Sequence, residues 1–357
     1  MGPDWSLDAR SDTLGPMVAS EQNPTIEDVA RAAGVSVATV SRALRGLDHV
    51  ATSTRHKVEV AAEELGYRAH PAAAKLAAGN SRTICVAVAN IAGWFCAQVV
   101  GGIEAVLSEA GYEVLVVGVA GPDARRRFIA DIDRMHQRVD GLILVDIRLE
   151  ADEAERLRSS SLRVVTIGSS YPGLSSVRPD DISAARLAVD HLLDLGHRRI
   201  GLIEGMRDDP MQTEVSWRRR EGYIQSLTRR GIVVDPNLLE TGDFSVVGAQ
   251  EATHRLLGSS EPPTAIFAIS DEMAMGARGV AVERGLAVPA DLSIIGIDDH
   301  PLSNTVALTT VRQDPPASGA RAARWIVEDL RNDRCVLYTH EVVTELIVRA
   351  TTAPPKL

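Results

Sequence analysis

Apolar residues recur at i, i+3, i+4 and i+7 through Ile26, Val29, Ala30 and Ala33, the stripe of one helix face. Thr25 stands ahead of the stripe as an N-cap, and Asp28 three positions on completes a capping-box pattern. Gly34 tolerates the positive φ at which a helix stops and turns. Ser36 then caps a second predicted helix, where Val40 and Leu44 point one way while Ala38, Thr39, Ser41 and Arg42 point elsewhere. Two short helices around a glycine turn over Thr25–Leu44 are a helix-turn-helix pattern. The exposed face of the second is small and polar with one Arg, which suits a DNA major groove, where Arg bonds a guanine edge bidentately. A third helix is predicted from about Thr54, with Val58, Ala61, Ala62 and Leu65 buried and Gly66 ending it.

From Thr83 the pattern changes to apolar runs separated by amphipathic segments. The strand candidates are 84–90, 112–119, 141–147 and 162–168, then 199–205, 238–244, 264–270 and 292–298. Helices such as Ala97–Ala110, Ile182–Leu195, Ser216–Arg230 and Asp271–Arg284 lie between them. Continuous apolar strands alternating with helices predict parallel sheets covered on both faces. The fold class is therefore a small all-α helix-turn-helix domain followed by α/β, with two doubly wound parallel-sheet subdomains. Ligands in such sheets bind beyond the carboxyl ends of the strands, so the residues just after each strand are the first candidates.

Composition narrows the classes. A chain of 357 residues has room for two or three domains, and 45% hydrophobic with 24% charged residues is ordinary for a globular protein. No apolar run approaches the roughly 18 residues a membrane helix needs. Residues 1–23 lack the basic-then-apolar order of a signal peptide and read as a disordered leader. Cys85, Cys96 and Cys335 are odd in number and far apart, which argues for a reducing compartment and against a zinc site. The net charge of −10 does not advertise a nucleic-acid binder. Between Thr25 and Arg68 six basic residues meet six acidic ones, so pattern and not charge carries the DNA reading. No GxGxxG, GxSxG, HExxH or P-loop occurs, Asp190-His191 and His197 are poorly spaced for a metal, and neither enzyme activity nor a cofactor is expected.

The run DVARAAGVSVATVSR (28–42) closely resembles the headpiece signature of LacI/GalR-type transcriptional regulators. LAVDHLLDLGHRRIGLI (187–203), PTAIFAISDEMAMGA (263–277), LSIIGIDDHPLS (292–303) and LTTVRQ (308–313) resemble landmarks of the same family's type I periplasmic-binding-protein-like body. The resemblance implies a headpiece over 24–68, a hinge helix over 69–81, and an effector-binding and dimerisation domain over 82–350, with 351–357 a tail. Subdomain 1 would take about 82–176 and 305–334, and subdomain 2 about 177–304 and 335–350. Crossings are implied near Ser176, Leu302 and Ala317–Arg334. The hinge, Ala-rich from Pro71 to Gly79, is too short of apolar groups to be a stable isolated helix. By resemblance it folds when two subunits sit on DNA, with Leu76 wedged into the minor groove. It departs from the family at Ala69-His70-Pro71 and at Lys75.

In DNA, Arg42 would read a base, with Val37 and Ala38 in apolar contact with base edges. Ser36, Thr39, Ser41, Arg45, His49 and Thr54 would contact phosphates as their family counterparts do, and Thr25 is a further DNA-binding candidate. For the effector, Gly93-Trp94-Phe95-Cys96 stands where family members usually carry Asn-Pro-Phe-Phe after the first strand, and Trp94 with Phe95 offers a stacking surface. Arg219 matches the family's ligand-binding arginine, and Asp298 its ligand-binding aspartate. Asp146, Trp217 and Ser270 complete the candidate set. Ser270-Asp271 and Ile167-Gly168-Ser169 depart from sugar-responsive members by losing polar groups. The expected protein is a cytoplasmic dimeric repressor on a near-palindromic operator, controlled by a sugar or related metabolite. Its rivals are a regulator whose partner is a protein, and a solute-binding protein, which would carry an export signal instead of the headpiece. Leucine heptads are missing after EVVTELIVRA, so no tail-assembled tetramer is expected.

Overall fold

The structure is a computed structural model and describes residues 24–44, 50–67, 81–206 and 214–356. The leader (1–23), Arg45, His49 and the Pro71–Ala78 hinge with Leu76 lie outside the described residues. The chain falls into two compact units that part between Asn80 and Ser81.

The first unit holds α1 (Ile26–Ala33), α2 (Val37–Leu44) and α3 (Thr52–Glu64). All three meet around Val29, Ala30, Val40, Ala43, Val58, Ala61 and Ala62. Thr25 makes both halves of the capping box with Asp28, and Gly34 closes α1 at φ +66°. Ser36 caps α2, its Oγ accepting the Thr39 N–H at 3.1 Å. The third helix starts at Thr52, earlier than expected, and Leu65 is 39% exposed where burial was expected. The helix stops at Glu64 and the chain turns at Gly66, so Tyr67 packs on the cluster in place of Leu65.

The second unit is built from two lobes. The first begins with β1 (Thr83–Val88), α4 (Trp94–Glu109), β2 (Glu113–Gly118), α5 (Pro122–Ala130), α6 (Ile132–Met135), β3 (Gly141–Val145), α7 (Ala151–Ser159), β4 (Arg163–Ile167) and β5 (Ser175–Pro179). The chain then enters the second lobe through α8 (Asp181–Asp194), β6 (Ile200–Glu204), α9 (Glu214–Arg229), β7 (Leu239–Thr241), α10 (Val246–Leu257) and β8 (Ala265–Ala268). That lobe continues with α11 (Asp271–Glu283), β9 (Ser293–Asp298), α12 (Pro301–Thr305) and β10 (Thr309–Arg312). Helix α13 (Pro315–Asn332) and β11 (Thr339–Val342) return to the first lobe, and β12 (Glu345–Ile347) ends in the second. The sheets run β11-β5-β4-β3-β1-β2 and β12-β10-β9-β8-β6-β7, parallel throughout except for β12 on β10.

Strand alternation explains why both sheet faces must be covered. Ile84, Val86 and Val88 enter one apolar cluster of the first lobe while Cys85 and Ala87 enter the other. Helix α13 covers the first of these with α4, and the two run so close that a Cβ on Gly319 would stand 2.1 Å from the Val99 carbonyl oxygen.

This packing moves the expected subdomain boundaries. Strand β10 belongs to the second sheet, and α13 with β11 to the first lobe, so 305–334 and 335–350 are not the dividing segments. The crossings fall after Pro179, between Arg312 and Pro315, and between Val342 and Glu345; Ser176 lies inside β5 and Leu302 inside α12. EVVTELIVRA reads as one strand but is broken at the 88% exposed Val343, and each half pairs with a different sheet. Strand propensity is local; the choice of partner sheet is not.

The expected tail packs on the second lobe. Ile294 N–H donates to Thr351 O at 2.8 Å, and Ala353 N–H donates to Ser293 Oγ at 3.0 Å. His191 meets Thr352 Oγ1 at 2.9 Å, and the buried His197 meets Ala353 O at 2.9 Å. Both histidines thus hold the chain end on the second lobe. Among the described residues no helix is long and apolar enough to cross a membrane.

Candidate functional site

A cavity of about 850 Å³, counting its solvent-open mouth, lies between the lobes at the carboxyl ends of the strands. Six of the seven candidate effector residues line it: Trp94, Phe95, Asp146, Arg219, Ser270 and Asp298. Each has a local reason to be there. Trp94 opens α4 behind the N-cap Gly93, and Phe95 also packs on the core of its lobe. Ser270 caps α11, accepting the Met273 N–H at 3.4 Å.

Trp217 is the exception. It is 48% exposed and stands under the Arg218 guanidinium, 5.7 Å from its ring centroid. Two residues along a helix are about 200° apart, so the α9 face that points Arg219 inward points Trp217 outward. Aromatic wall comes instead from Phe244, which the expected strand 238–244 places inside a strand; β7 ends at Thr241 and leaves Phe244 beyond it. Gly205 makes room for that ring: a Cβ there would stand 2.3 Å from Phe244 Cε2. Asp181 and Gln313 were also missed, although Gln313 follows a strand end in the second sheet.

Arg219 is 4% exposed and Asp181 is 2% exposed, and Nε donates to Asp181 Oδ1 at 2.8 Å. Its Nη1 donates to the Ile269 carbonyl. The approach needs Gly222, one turn on, where a Cβ would stand 2.5 Å from the Ile182 carbonyl oxygen of α8. Arg219 is the cavity's cation among the described lining residues, against Asp146, Asp181, Glu272 and Asp298.

The two strand-end aspartates adopt positive φ, +52° at Asp146 and +141° at Asp298. Non-glycine residues there carry strain of roughly 1–3 kcal/mol, which persists where surroundings over-determine it. Gly168 is part of those surroundings: a Cβ there would stand 2.1 Å from Asp146 Oδ1. The loss of a polar side chain at position 168 therefore leaves room for the Asp146 carboxyl. Burial, with added repulsion from Asp181 and opposed by Arg219, pushes Asp146 up to about 7. Burial likewise pushes Asp298 up to about 7, with Arg219 opposing and Asp271 adding repulsion. The Asp298 carboxyl accepts from Gln313 Nε2 and, at 3.4 Å, from the Asp271 N–H.

Asp146→Asn is accordingly expected to raise the melting temperature of the ligand-free protein at pH 8, and by much less at pH 5. A carboxyl whose folded pKa is about 7 against an ordinary 3.8 binds its proton more tightly in the fold. Its destabilising effect therefore grows as pH rises from about 4 to 7 and is full above that. Equal shifts in thermal denaturation at the two pH values would refute a desolvated Asp146.

In the first unit Val37 is 41% exposed, and Ala38 and Arg42 are also exposed, on one side of α2. Ser41 is half-buried, Thr54 is half-buried in the first turn of α3, and Ser36 Oγ and Thr39 Oγ1 lie 2.9 Å apart. Thr25 Oγ1 donates to Asp28 Oδ2 at 2.7 Å, so its hydroxyl already serves the α1 cap.

Comparison with known proteins agrees with this arrangement. Residues 25–70 match the family described as bacterial regulatory proteins, lacI family, and residues 189–352 match a periplasmic binding protein-like domain. The transcriptional repressor CytR of Escherichia coli is 36% identical over 93% of this chain and 97% of its own length. Catabolite control protein A of Priestia megaterium is 35% identical over 87% of this chain and 94% of its own. A crystal structure of the lac repressor dimer bound to operator and the anti-inducer ONPF superposes with a TM-score of 0.79 at 31% identity, covering 93% of this chain and all of that one. A complex of the regulator CelR with cellobiose gives 0.67 at 29% identity, over 92% of this chain and 99% of that one. A headpiece of three helices, two parallel-sheet lobes and this similarity along nearly the whole chain place the protein in the LacI family, as a DNA-binding transcriptional repressor and not an enzyme.

Proposed function

We propose that this protein is a cytoplasmic homodimer that represses transcription from a near-palindromic operator, and that a small molecule in the interlobe cavity changes its operator affinity. The observation that carries the reading is the cavity itself: aromatic side chains from Trp94, Phe95 and Phe244 beside Asp146, Arg219 and Asp298, from both lobes. An apolar wall with a few fixed polar groups is how small ligands are oriented. Carboxylate acceptors and one guanidinium fit a ligand rich in hydroxyl or N–H donors, such as a sugar or a nucleoside. On DNA, Arg42 reads a base edge, Val37 and Ala38 lie against bases, and Ser36, Thr39, Ser41, Arg45, His49 and Thr54 reach phosphates, with Leu76 in the minor groove.

Ligand and operator are coupled through the lobes. A ligand shifts the balance only by its difference in affinity for the two arrangements, and a coupling of roughly 1–3 kcal/mol changes operator affinity about 5- to 150-fold. A thermal-shift screen of sugars, nucleosides and polyols tests this. A true effector at 100 times its dissociation constant adds about 2.7 kcal/mol of stability, and the same compound should change operator binding in a gel-shift titration. A compound that stabilises the protein equally after Asp298→Ala would place its site elsewhere.

A further inference from the structure

Trp94 and His300 belong to different lobes, yet their ring centroids stand 4.7 Å apart at an interplanar angle of 48°. Trp94 opens α4 and lines the cavity; His300 precedes α12 and is not among the lining residues. Both are half-buried. The His300 ring is fixed by its own lobe. The His300 Nδ1 accepts the Leu302 N–H at 3.0 Å and so caps α12, which leaves Nε2 as the protonated nitrogen of the neutral ring.

The backbone of His300 is tied to Asp271, next to the lining residue Ser270. Its N–H donates to Asp271 Oδ2 at 2.9 Å. That carboxylate also accepts from Ser303 Oγ and Thr310 Oγ1, both at 2.6 Å. The Asp271 N–H in turn donates to Asp298 Oδ2 at 3.4 Å. The aspartate that faces the ligand and the ring that meets the other lobe thus share one hydrogen-bonded segment. Across the same cleft Asp146 of the first lobe feels repulsion from Asp181 and attraction to Arg219 of the second. A tilted pair of rings adds a short-range contact that exists only while the lobes hold this spacing.

We propose that Trp94 and His300 form a clasp between the lobes, positioning residues whose contact biases the lobe arrangement and, through it, operator affinity. The proposal rests on the reading of the cleft as the regulatory site. It assigns His300 a part that neither cavity lining nor strand-end position indicates.

Operator affinity of the full-length protein without added ligand is the readout. His300→Asn keeps an acceptor for the Leu302 N–H and removes the ring, whereas His300→Phe keeps a ring and removes the acceptor. Trp94→Leu and His300→Asn are expected to shift the operator dissociation constant in one direction, each by roughly 2- to 12-fold. The double variant should shift no further, since either change already removes the contact. His300→Phe should stay near the unsubstituted protein. A shift with His300→Phe but not with His300→Asn would reduce His300 to a helix cap and overturn the clasp. Additive effects, opposite directions or no shift overturn it as well. If Trp94→Leu loses its fold in a melting experiment, the two His300 variants decide alone. A ligand that still changes operator binding by the Arg219→Ala protein would instead sink the cleft reading, whatever these shifts.

Discussion

Arg219→Ala is expected to destabilise the second lobe by about 3–5 kcal/mol and to abolish the response to effector. The size follows from burial: Nε and Asp181 Oδ1 are 2.8 Å apart, with both side chains almost inaccessible. Removing one partner of such a pair leaves an uncompensated charge in a low-dielectric site. Asp181 at the start of α8 would then face α9 without its buried partner, and the Ile269 carbonyl would lose its donor. Loss of response after this single change could therefore come from a loosened lobe. The double replacement Arg219→Met with Asp181→Leu separates the two. Exchanging a buried pair for apolar groups of similar volume is often neutral or stabilising, so the double variant should regain most of its melting temperature while remaining deaf to effector. Recovery of effector response in the double variant would show that Arg219 shapes the lobe and does not touch the ligand.

Arg42→Ala should do the reverse. Its side chain is exposed on α2, so the fold should be unaffected, while operator binding weakens by about 1–3 kcal/mol at one base pair. That corresponds to roughly 5- to 150-fold. Titration against operators substituted one base pair at a time is the measurement. The variant should stop discriminating at a single position in each half-site and keep its effector response. A uniform loss at every sequence, with a shallower dependence on salt, would reassign Arg42 to a phosphate. Charge cannot substitute for this experiment, because the described headpiece is close to neutral. Its binding must come from two small heads held in register, which ties DNA recognition to the body that carries them.

Much of this was legible in the chain because it is local. The i, i+3, i+4 stripe of Ile26, Val29 and Ala30, the Thr25–Asp28 box and Gly34 act within one or two helical turns, and all three appear as read. The apolar runs of β1, β3, β8 and β9 were equally plain, since a strand covered on both faces has no polar side to confuse the pattern. Asp298 was legible through its match to the family's ligand-binding aspartate, and it lines the cavity together with Asp146. Gln313 closes the landmark LTTVRQ, but its place in the cavity follows from the pairing of β10 with β9. Trp217 falls outside the cavity because residues two apart on a helix diverge by about 200°, so it faces away from the side that holds Arg219.

Residue order in this protein settles its helix caps, its buried strands, its family and its class of function, because those depend on short-range periodicity and on long motif matches. Contacts between distant segments settled the remainder. The division of β10, β11 and β12 between the sheets depends on pairings across more than 100 residues in the case of β11 and β5. The enclosure of Asp146 depends on the empty space at Gly168, and the Arg219–Asp181 pair on the bare backbone at Gly222. The meeting of Trp94 with His300 spans both lobes. Each of these is a statement about which atoms exclude water or one another, and that is set when the lobes pack, not by the residues on either side in the chain.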